Sequence, residues 1–235
     1  MRKVVMPARK IPLNYRNITG YVQSDKGGDY TYFESGLERD ALILAEYDKN
    51  ILSFETQPKK FSYKFGDKNR SYTPDIFITY KDGSSLFVEV KYRADLHKDW
   101  AILKPKFKAV VHCLRAEEYE RTRFKIWTEV EIRTVYLKNV TFLLPYRKRP
   151  VEEYQVKTIL KILSRMDAMI INELLPLCSK DLTIQAEFIN SLWYCISNDL
   201  VKVDLFRKMT MDSLIWVERH EAFDESIACF NGDNL

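Results

Sequence analysis

Residues 72–92, with the sequence YTPDIFITYKDGSSLFVEVKY, decide the fold of the first half of this chain. Apolar residues alternate on both sides of the short segment KDG at 81–83, a pattern typical of two β-strands joined by a tight turn. A three-residue loop that ends in a left-handed glycine pairs Tyr80 with Ser84. The sequence therefore predicts a β-hairpin with a defined register.

In that register Asp75 lies directly opposite Glu89, and Lys91 shares their face because residues two apart on a strand point the same way. Two facing carboxylates repel and raise each other's pKa unless a cation lies between them. Mg²⁺ suits such a pair, with Mn²⁺ as a substitute, because it needs few protein ligands and keeps several waters. The arrangement predicts metal-assisted hydrolysis of a phosphodiester, with the lysine beside the metal. The opposite face of the hairpin is apolar and fits a core, with Ile76, Ile78, Leu86, Val88 and Val90.

The order Pro-Asp, thirteen residues, then Glu-Val-Lys resembles the signature of the PD-(D/E)xK nucleases. As a string the signature is short, and its location on a hairpin with one charged and one apolar face makes it more specific. An exposed face that carries a Glu–Lys surface pair is the alternative interpretation.

The rest of the first half indicates a mixed α/β structure. A helix is predicted at residues 34–47, where Ser35 is a suitable N-cap, and another at 99–119. Strands are predicted at 60–65, 72–80, 85–92, 124–128 and 134–144. This order predicts a restriction-endonuclease-like α/β sandwich around one mixed sheet.

The second half has a different pattern. Helices are predicted at 151–166, 169–177 and 185–197, and strands at 201–205 and 213–217. Three helices followed by a hairpin predict a winged-helix-like domain. A basic segment framed by Pro145 and Pro150 separates the halves. The predicted domains are an endonuclease domain at 1–148, with a basic arm at 1–16, and a winged-helix-like domain at 149–235.

Charge is divided between the halves. Residues 1–149 hold 29 Lys and Arg against 19 Asp and Glu, a balance of +10, whereas residues 150–235 hold 8 against 14, a balance of −6. A basic half suits nucleic acid, and the helix at 185–197 contains no Lys or Arg to neutralise phosphates. We therefore expect the second half to dock a protein. The alternatives are a drift of surface charge and solvated lysine faces. The predicted DNA contacts are Arg9, Lys10, Lys104, Lys106 and Lys108.

Other function classes find little support. Apolar runs are too short for a membrane helix, and the basic N-terminus lacks the apolar core of a signal peptide. The four cysteines and three histidines have neither disulfide-framework nor zinc spacing. These features predict a cytoplasmic protein.

Four linked motifs resemble the TnsA family, the endonuclease subunits of heteromeric Tns-type transposases. They cover roughly residues 15–110 and are, in chain order, FESGLERD at 33–40, SFETQP at 53–58, YTPD at 72–75 and VEVK at 88–91. On the matching positions the resemblance implies that the helix carboxylate Glu38 joins Asp75 and Glu89 as a metal ligand, with Lys91 as the catalytic lysine. Some relatives carry Gln where this chain has Glu89. Gln57 falls in a family motif and is expected to orient the site or the DNA.

The resemblance also implies a bacterial protein that acts in DNA transposition. TnsA cleaves the 5′ ends of a mobile element, while the DDE transposase TnsB cuts and joins the 3′ ends. The AAA+ regulator TnsC binds TnsA and couples the pair to target selection.

Several alternatives stay open. Ser35-Gly-Leu-Glu38 is also a capping box, in which Glu38 only reaches back to the Ser35 N–H, and Glu34 would then be the next candidate. The chain could be a stand-alone restriction or repair nuclease, or a DNA-binding regulator with an inactive nuclease core.

Overall fold

A computed structural model of the chain describes residues 18–28, 31–115 and 119–218. Two compact units divide the chain, Met1–Leu137 and Lys138–Leu235. The division lies earlier than the predicted domain boundary at 148, because residues after 137 are hydrogen-bonded within the second unit. Asn139, for example, donates to the carbonyl of Leu205 at 2.8 Å. Among the described residues, no helix has the length and apolarity needed to span a membrane.

The first unit is mixed α/β, as predicted. Its strands are β1 Gly20–Val22, β2 Thr31–Phe33, β3 Ile51–Thr56, β4 Phe61–Phe65, β5 Lys68–Tyr72, β6 Ile76–Tyr80, β7 Ser85–Val90 and β8 Thr122–Trp127. Its helices are α1 Gly36–Tyr47, α2 Arg93–Lys98, α3 Trp100–Cys113, α4 Glu129–Ile132 and the start of α5 Val135–Leu143. Strands β1, β2, β3 and β5 and helices α2 and α4 were not predicted from the sequence.

The central sheet has the strand order β3-β6-β7-β8. Strands β3, β6 and β7 are antiparallel neighbours, whereas β7 and β8 are parallel, so the sheet is mixed. This sheet fits the predicted restriction-endonuclease-like fold. The predicted hairpin register is confirmed, because Thr79 pairs with Ser85 and Ile76 with Val88. Gly83 has the expected left-handed conformation, with φ 81°.

Both faces of the β6–β7 hairpin are covered. The predicted apolar face packs against α1, whose buried residues Leu37, Ala41, Leu42 and Ala45 form one helical stripe. The other face packs against α3 and the β4–β5 hairpin through a second cluster, which contains Phe61, Tyr72, Phe87, Leu103, Phe107 and Val110. The sheet is therefore the middle layer of a sandwich, and the predicted site lies at the end of a buried surface.

The strand predicted at 134–144 is wrong, because these residues form helix α5. Their Val, Tyr, Thr and Phe content favours a strand when composition alone is considered. Burial follows a helical period instead, since Leu137, Val140 and Leu143 are three residues apart and all buried. Tertiary packing overrides local propensity here.

The second unit contains helices α6 Glu153–Leu163, α7 Ile171–Cys178 and α8 Leu182–Ser197, preceded by a short 3-10 helix at Leu144–Lys148. Its strands β9 Met169–Ile170, β10 Lys202–Val203 and β11 Leu214–Trp216 form an antiparallel sheet in the order β10-β11-β9. The three helices and the C-terminal strands agree with the predicted elements, and β9 is an addition. The winged-helix-like assignment stays a prediction.

Candidate active site

Glu38 lies in the first turn of α1 and has two sets of contacts. Ser35 is the N-cap, as predicted, and its Oγ accepts a hydrogen bond from the Glu38 N–H at 3.1 Å. The Glu38 carboxylate accepts from the Ser35 hydroxyl at 3.0 Å and from the Glu34 N–H at 2.8 Å. The carboxylate thus contacts the backbone one residue earlier than the predicted capping box requires. These contacts fix Glu38 while leaving it on the wall of a cavity.

Helix α1 is itself tied to a neighbouring element through Asp40, which is buried two residues beyond Glu38. The Asp40 carboxylate forms an ion pair with the Arg133 Nε at 2.9 Å and with the Arg39 guanidinium at 2.8 Å. A buried carboxylate with two cationic partners avoids the cost of an unpaired charge. The pairing with Arg133, at the C-terminal end of α4, connects that end of α4 to the turn of α1 that carries Glu38.

Asp75 lies just before β6, and its side chain and backbone are both held. Its Oδ2 accepts from the Val90 N–H at 2.7 Å, and its carbonyl accepts from the Gln57 N–H at 2.8 Å. Val90 is the residue after Glu89 on β7, so this hydrogen bond places the Asp75 carboxylate close to Glu89, as predicted. The two carboxyl groups are close enough for the Glu89 charge to raise the pKa of Asp75.

Glu89 is the most buried of these acids, at 5% exposure. The Tyr72 hydroxyl donates a hydrogen bond to its Oε2. Lys91 follows directly after β7, where its N–H donates to the Trp127 carbonyl at 3.0 Å, so its position is fixed by the pairing of β7 with β8. All three residues border the same cavity.

That cavity has a volume of about 610 Å³ and brings together every residue predicted for the catalytic site. The carboxylates of Glu38, Asp75 and Glu89 share it with the half-buried Lys91. Its other polar walls are Glu34, Ser35, Gln57, Lys60, Ser71, Tyr72, Thr73, Tyr92, Asp95 and Lys106. Five acidic residues and three lysines line this one space, so it can hold a cation and an anion together.

The electrostatics of the cavity disfavour three bare carboxylates. Burial, with a smaller contribution from the Asp75 charge, raises the pKa of Glu38 to about 7. Burial and the Glu89 charge raise the pKa of Asp75 well above its ordinary value. Burial also raises the pKa of Glu89, while hydrogen bonds and the charges of Lys91 and Lys106 act in the opposite direction. The three carboxyl groups would therefore be stabilised in their charged forms by a cation bound among them.

A divalent cation would supply the positive charge that these carboxylates need. Among the described residues, no three His, Cys, Asp or Glu side chains are arranged as a ready-made metal cluster. Mg²⁺ does not require one, since one or two carboxylates, waters and substrate phosphates commonly hold it. Asp75 and Glu89 face the same cavity, and the Glu89 charge raises the pKa of Asp75, so a cation bound between them would relieve their repulsion. The Asp75 and Glu89 carboxylates are the kind of donors that suit Mg²⁺ or Mn²⁺, and the Glu38 carboxylate lines the same cavity.

Gln57 is a strained residue on the cavity wall. It follows β3 with a positive φ of 50°, which is uncommon for a residue with a side chain. Its Nε2 donates to Glu34 at 3.0 Å, whereas its buried Oε1 has no hydrogen-bond partner in the part of the chain that the structure describes. The chain Gln57–Glu34–Glu38 thus links the end of β3 to the start of α1.

The lysines predicted to bind DNA separate into two groups. Lys106 borders the cavity, whereas Lys104 and Lys108 line a second cleft of about 550 Å³ on α3, together with Trp100, Phe107, Val111, His112 and Arg115. Arg9 and Lys10, with the rest of the basic arm, lie outside the described residues.

Tyr72 and Lys60 also line the cavity, although no role was predicted for either from the sequence. Tyr72 belongs to the YTPD motif, but its contact with Glu89 depends on the β4–β5 hairpin folding back over the sheet. That hairpin was only half predicted. Lys60 precedes β4 and comes to the cavity for the same reason.

Residues 48–129 match the family described as TnsA-like endonuclease N terminal. The match includes Gln57, Asp75, Glu89 and Lys91, and it begins after Glu38. The resemblance to the TnsA family is confirmed by this match, which indicates a nuclease role in transposition. No curated protein matches the chain.

Proposed function

We propose that this chain, whose residues 48–129 match the TnsA-like endonuclease N-terminal family, is the endonuclease subunit of a transposase. It hydrolyses DNA at the 5′ ends of a mobile element during cut-and-paste transposition, with Mg²⁺ or Mn²⁺ as cofactor. The observation that supports the proposal best is the convergence of Glu38, Asp75, Glu89 and Lys91 on one cavity. These residues come from α1, the start of β6 and the end of β7, so their meeting is a property of the fold.

The chemistry is the addition of water across a phosphodiester, in which one P–O bond forms and another breaks. Asp75 and Glu89 would hold the cation, with Glu38 as a further oxygen donor. When bound, the cation supplies Lewis-acid stabilisation and lowers the pKa of water. Lys91, on the same wall, offsets the negative charge that grows on the phosphate. Lys60 and Lys106 provide positive charge for the incoming DNA backbone.

The second unit is proposed to be a winged-helix-like protein-docking domain. Residues 150–235 of this unit carry a net charge of −6, which opposes phosphate binding, while a basic segment of the unit lies before them at 138–149. Large apolar side chains are exposed on it, with Leu182 and Phe206 each 78% exposed. The proposed partners of the chain are double-stranded DNA of the transposon ends, the DDE transposase TnsB and, through this unit, the AAA+ regulator TnsC.

The experiment that tests the function uses the full chain, a duplex that carries a transposon end, and the partner transposase. Strand cleavage at the 5′ end should require the chain and Mn²⁺ or Mg²⁺, and should stop when EDTA is added. Cleavage of arbitrary duplexes by the chain alone would favour the stand-alone nuclease. Binding of DNA without any cleavage or metal binding would favour the inactive regulator.

A further inference from the structure

Tyr72 is held rigidly beside the acids. It is the last residue of β5, pairs with Phe61 across the β4–β5 hairpin, and is 9% exposed. Its ring contacts Phe107 of α3 edge-on, with 6.0 Å between ring centroids. Strand pairing and helix packing therefore fix the ring from two sides, and its hydroxyl has little freedom to choose a partner.

The partner of that hydroxyl is one particular oxygen of Glu89. Tyr72 donates to Oε2, and Glu89 lines the cavity. A carboxylate with one oxygen engaged by a buried donor is oriented, and a cation in the cavity would then be left with Oε1. Outer partners of this kind commonly orient metal-binding carboxylates.

Ca²⁺ and Mg²⁺ differ in how many oxygens of one carboxylate they bind. Ca²⁺ takes 6–8 oxygen ligands and often binds both oxygens of one carboxylate, in a flexible geometry. Mg²⁺ takes an octahedral set with single carboxylate oxygens and retained waters. A Glu89 that presents one oxygen therefore suits the smaller ion.

We propose that Tyr72 is a positioning residue that limits Glu89 to one-oxygen coordination and so favours Mg²⁺ and Mn²⁺ over Ca²⁺. The inference rests on the proposed metal site. A different role is that Tyr72 only fills the core and satisfies its own buried hydroxyl. The two roles differ in metal selectivity, which core filling does not affect.

The test is calorimetric titration of the full chain with Mn²⁺ alone and with Ca²⁺ alone, in the absence of DNA. Tyr72→Phe keeps the ring and removes the hydroxyl, which should loosen Glu89 and free its Oε2. We expect the ratio of Mn²⁺ to Ca²⁺ affinity to fall about tenfold or more, the size of effect typical of lost outer contacts. Tyr63→Phe is the matched control, since it removes a hydroxyl from the same hairpin away from the cavity, and it should leave the ratio unchanged.

A ratio that is equal in the wild-type chain and in Tyr72→Phe overturns the inference, and so does an equal loss of affinity for both ions. The wild-type chain gives a second test that needs no variant, because Mn²⁺ should bind at least about tenfold more tightly than Ca²⁺. Equal affinity of the two ions overturns the inference. Absence of any Mn²⁺ binding by the wild-type chain would instead contradict the proposed function.

Discussion

One face of the β6–β7 hairpin carries aliphatic side chains along its whole length, whereas the other carries aromatic side chains and then acids. Ile78 and Val88 on the first face are fully buried, and Phe77 and Phe87 on the second pack with 4.5 Å between ring centroids. Burial stabilises the first face. At Asp75 and Glu89 the same burial raises carboxyl pKa values and disfavours the charged forms. One hairpin thus supplies both a rigid support and a site that needs a ligand.

The largest effect should come from removing an acid of the charged face. Asp75→Ala should lower strand cleavage about a thousandfold or more, because the metal loses a ligand. The melting temperature of the metal-free chain should change little, since a disfavoured buried charge is removed while the Val90 N–H loses its acceptor. Cleavage assays in the assembled complex and thermal melts in EDTA measure the two effects. Asp67→Ala, in the exposed β4–β5 turn, is the control. Near-normal cleavage by Asp75→Ala would show that Asp75 is not a metal ligand.

Lys91→Ala should affect chemistry with little effect on folding. The loss of a positioned charged group commonly costs 10²–10⁴-fold in rate, and we expect about a hundredfold or more. Lys91 is half-buried at the cavity, and its backbone pairing with β8 does not depend on the side chain. Cleavage at saturating Mn²⁺ and the melting temperature should be measured together. A drop of several degrees in melting temperature would show that Lys91 is structural.

The apolar face should respond in the opposite way. Ile78→Ala removes a fully buried side chain and should lower the free energy of unfolding by about 3 kcal/mol. Mn²⁺ affinity of the folded fraction should remain close to wild type, because Ile78 does not line the cavity. Urea denaturation and calorimetry at low temperature distinguish the two quantities. If Ile78→Ala lost metal affinity at unchanged stability, the apolar face would serve the metal site and not the stability of the fold, contrary to this prediction.

The smallest effect concerns pH. The pKa of Glu38 rises from 4.5 to about 7 on folding of the metal-free chain, so this group favours the folded state fully below pH 4.5 and loses that contribution as pH rises through 7. The melting temperature in EDTA should therefore fall between pH 5 and pH 8. Glu38→Gln should lessen the fall, because Gln keeps a capping group and cannot ionise. An identical fall in both proteins would remove Glu38 as its source.

The sequence predicted the hairpin well and its surroundings poorly, for a physical reason. Alternation and a glycine turn are local signals, so the register that brings Asp75 to Glu89 follows from the sequence alone. The contact of Tyr72 with Glu89 depends on how the β4–β5 hairpin folds over the sheet, which local patterns do not encode. Helix α5 was mispredicted for the same reason, since burial on one side outweighed its strand-like composition.

Gln57 has a consequence for protein engineering. A left-handed backbone conformation costs a residue with a side chain about 1–2 kcal/mol, and glycine avoids that cost. Gln57→Gly would also remove the buried Oε1, which has no donor among the described residues, but it would remove the Gln57 contact with Glu34, whose N–H supports Glu38. A screen for heat resistance would therefore tend to select glycine here, while a screen for DNA cutting would select against it. This position is one at which thermal selection and catalytic selection should lead to different proteins.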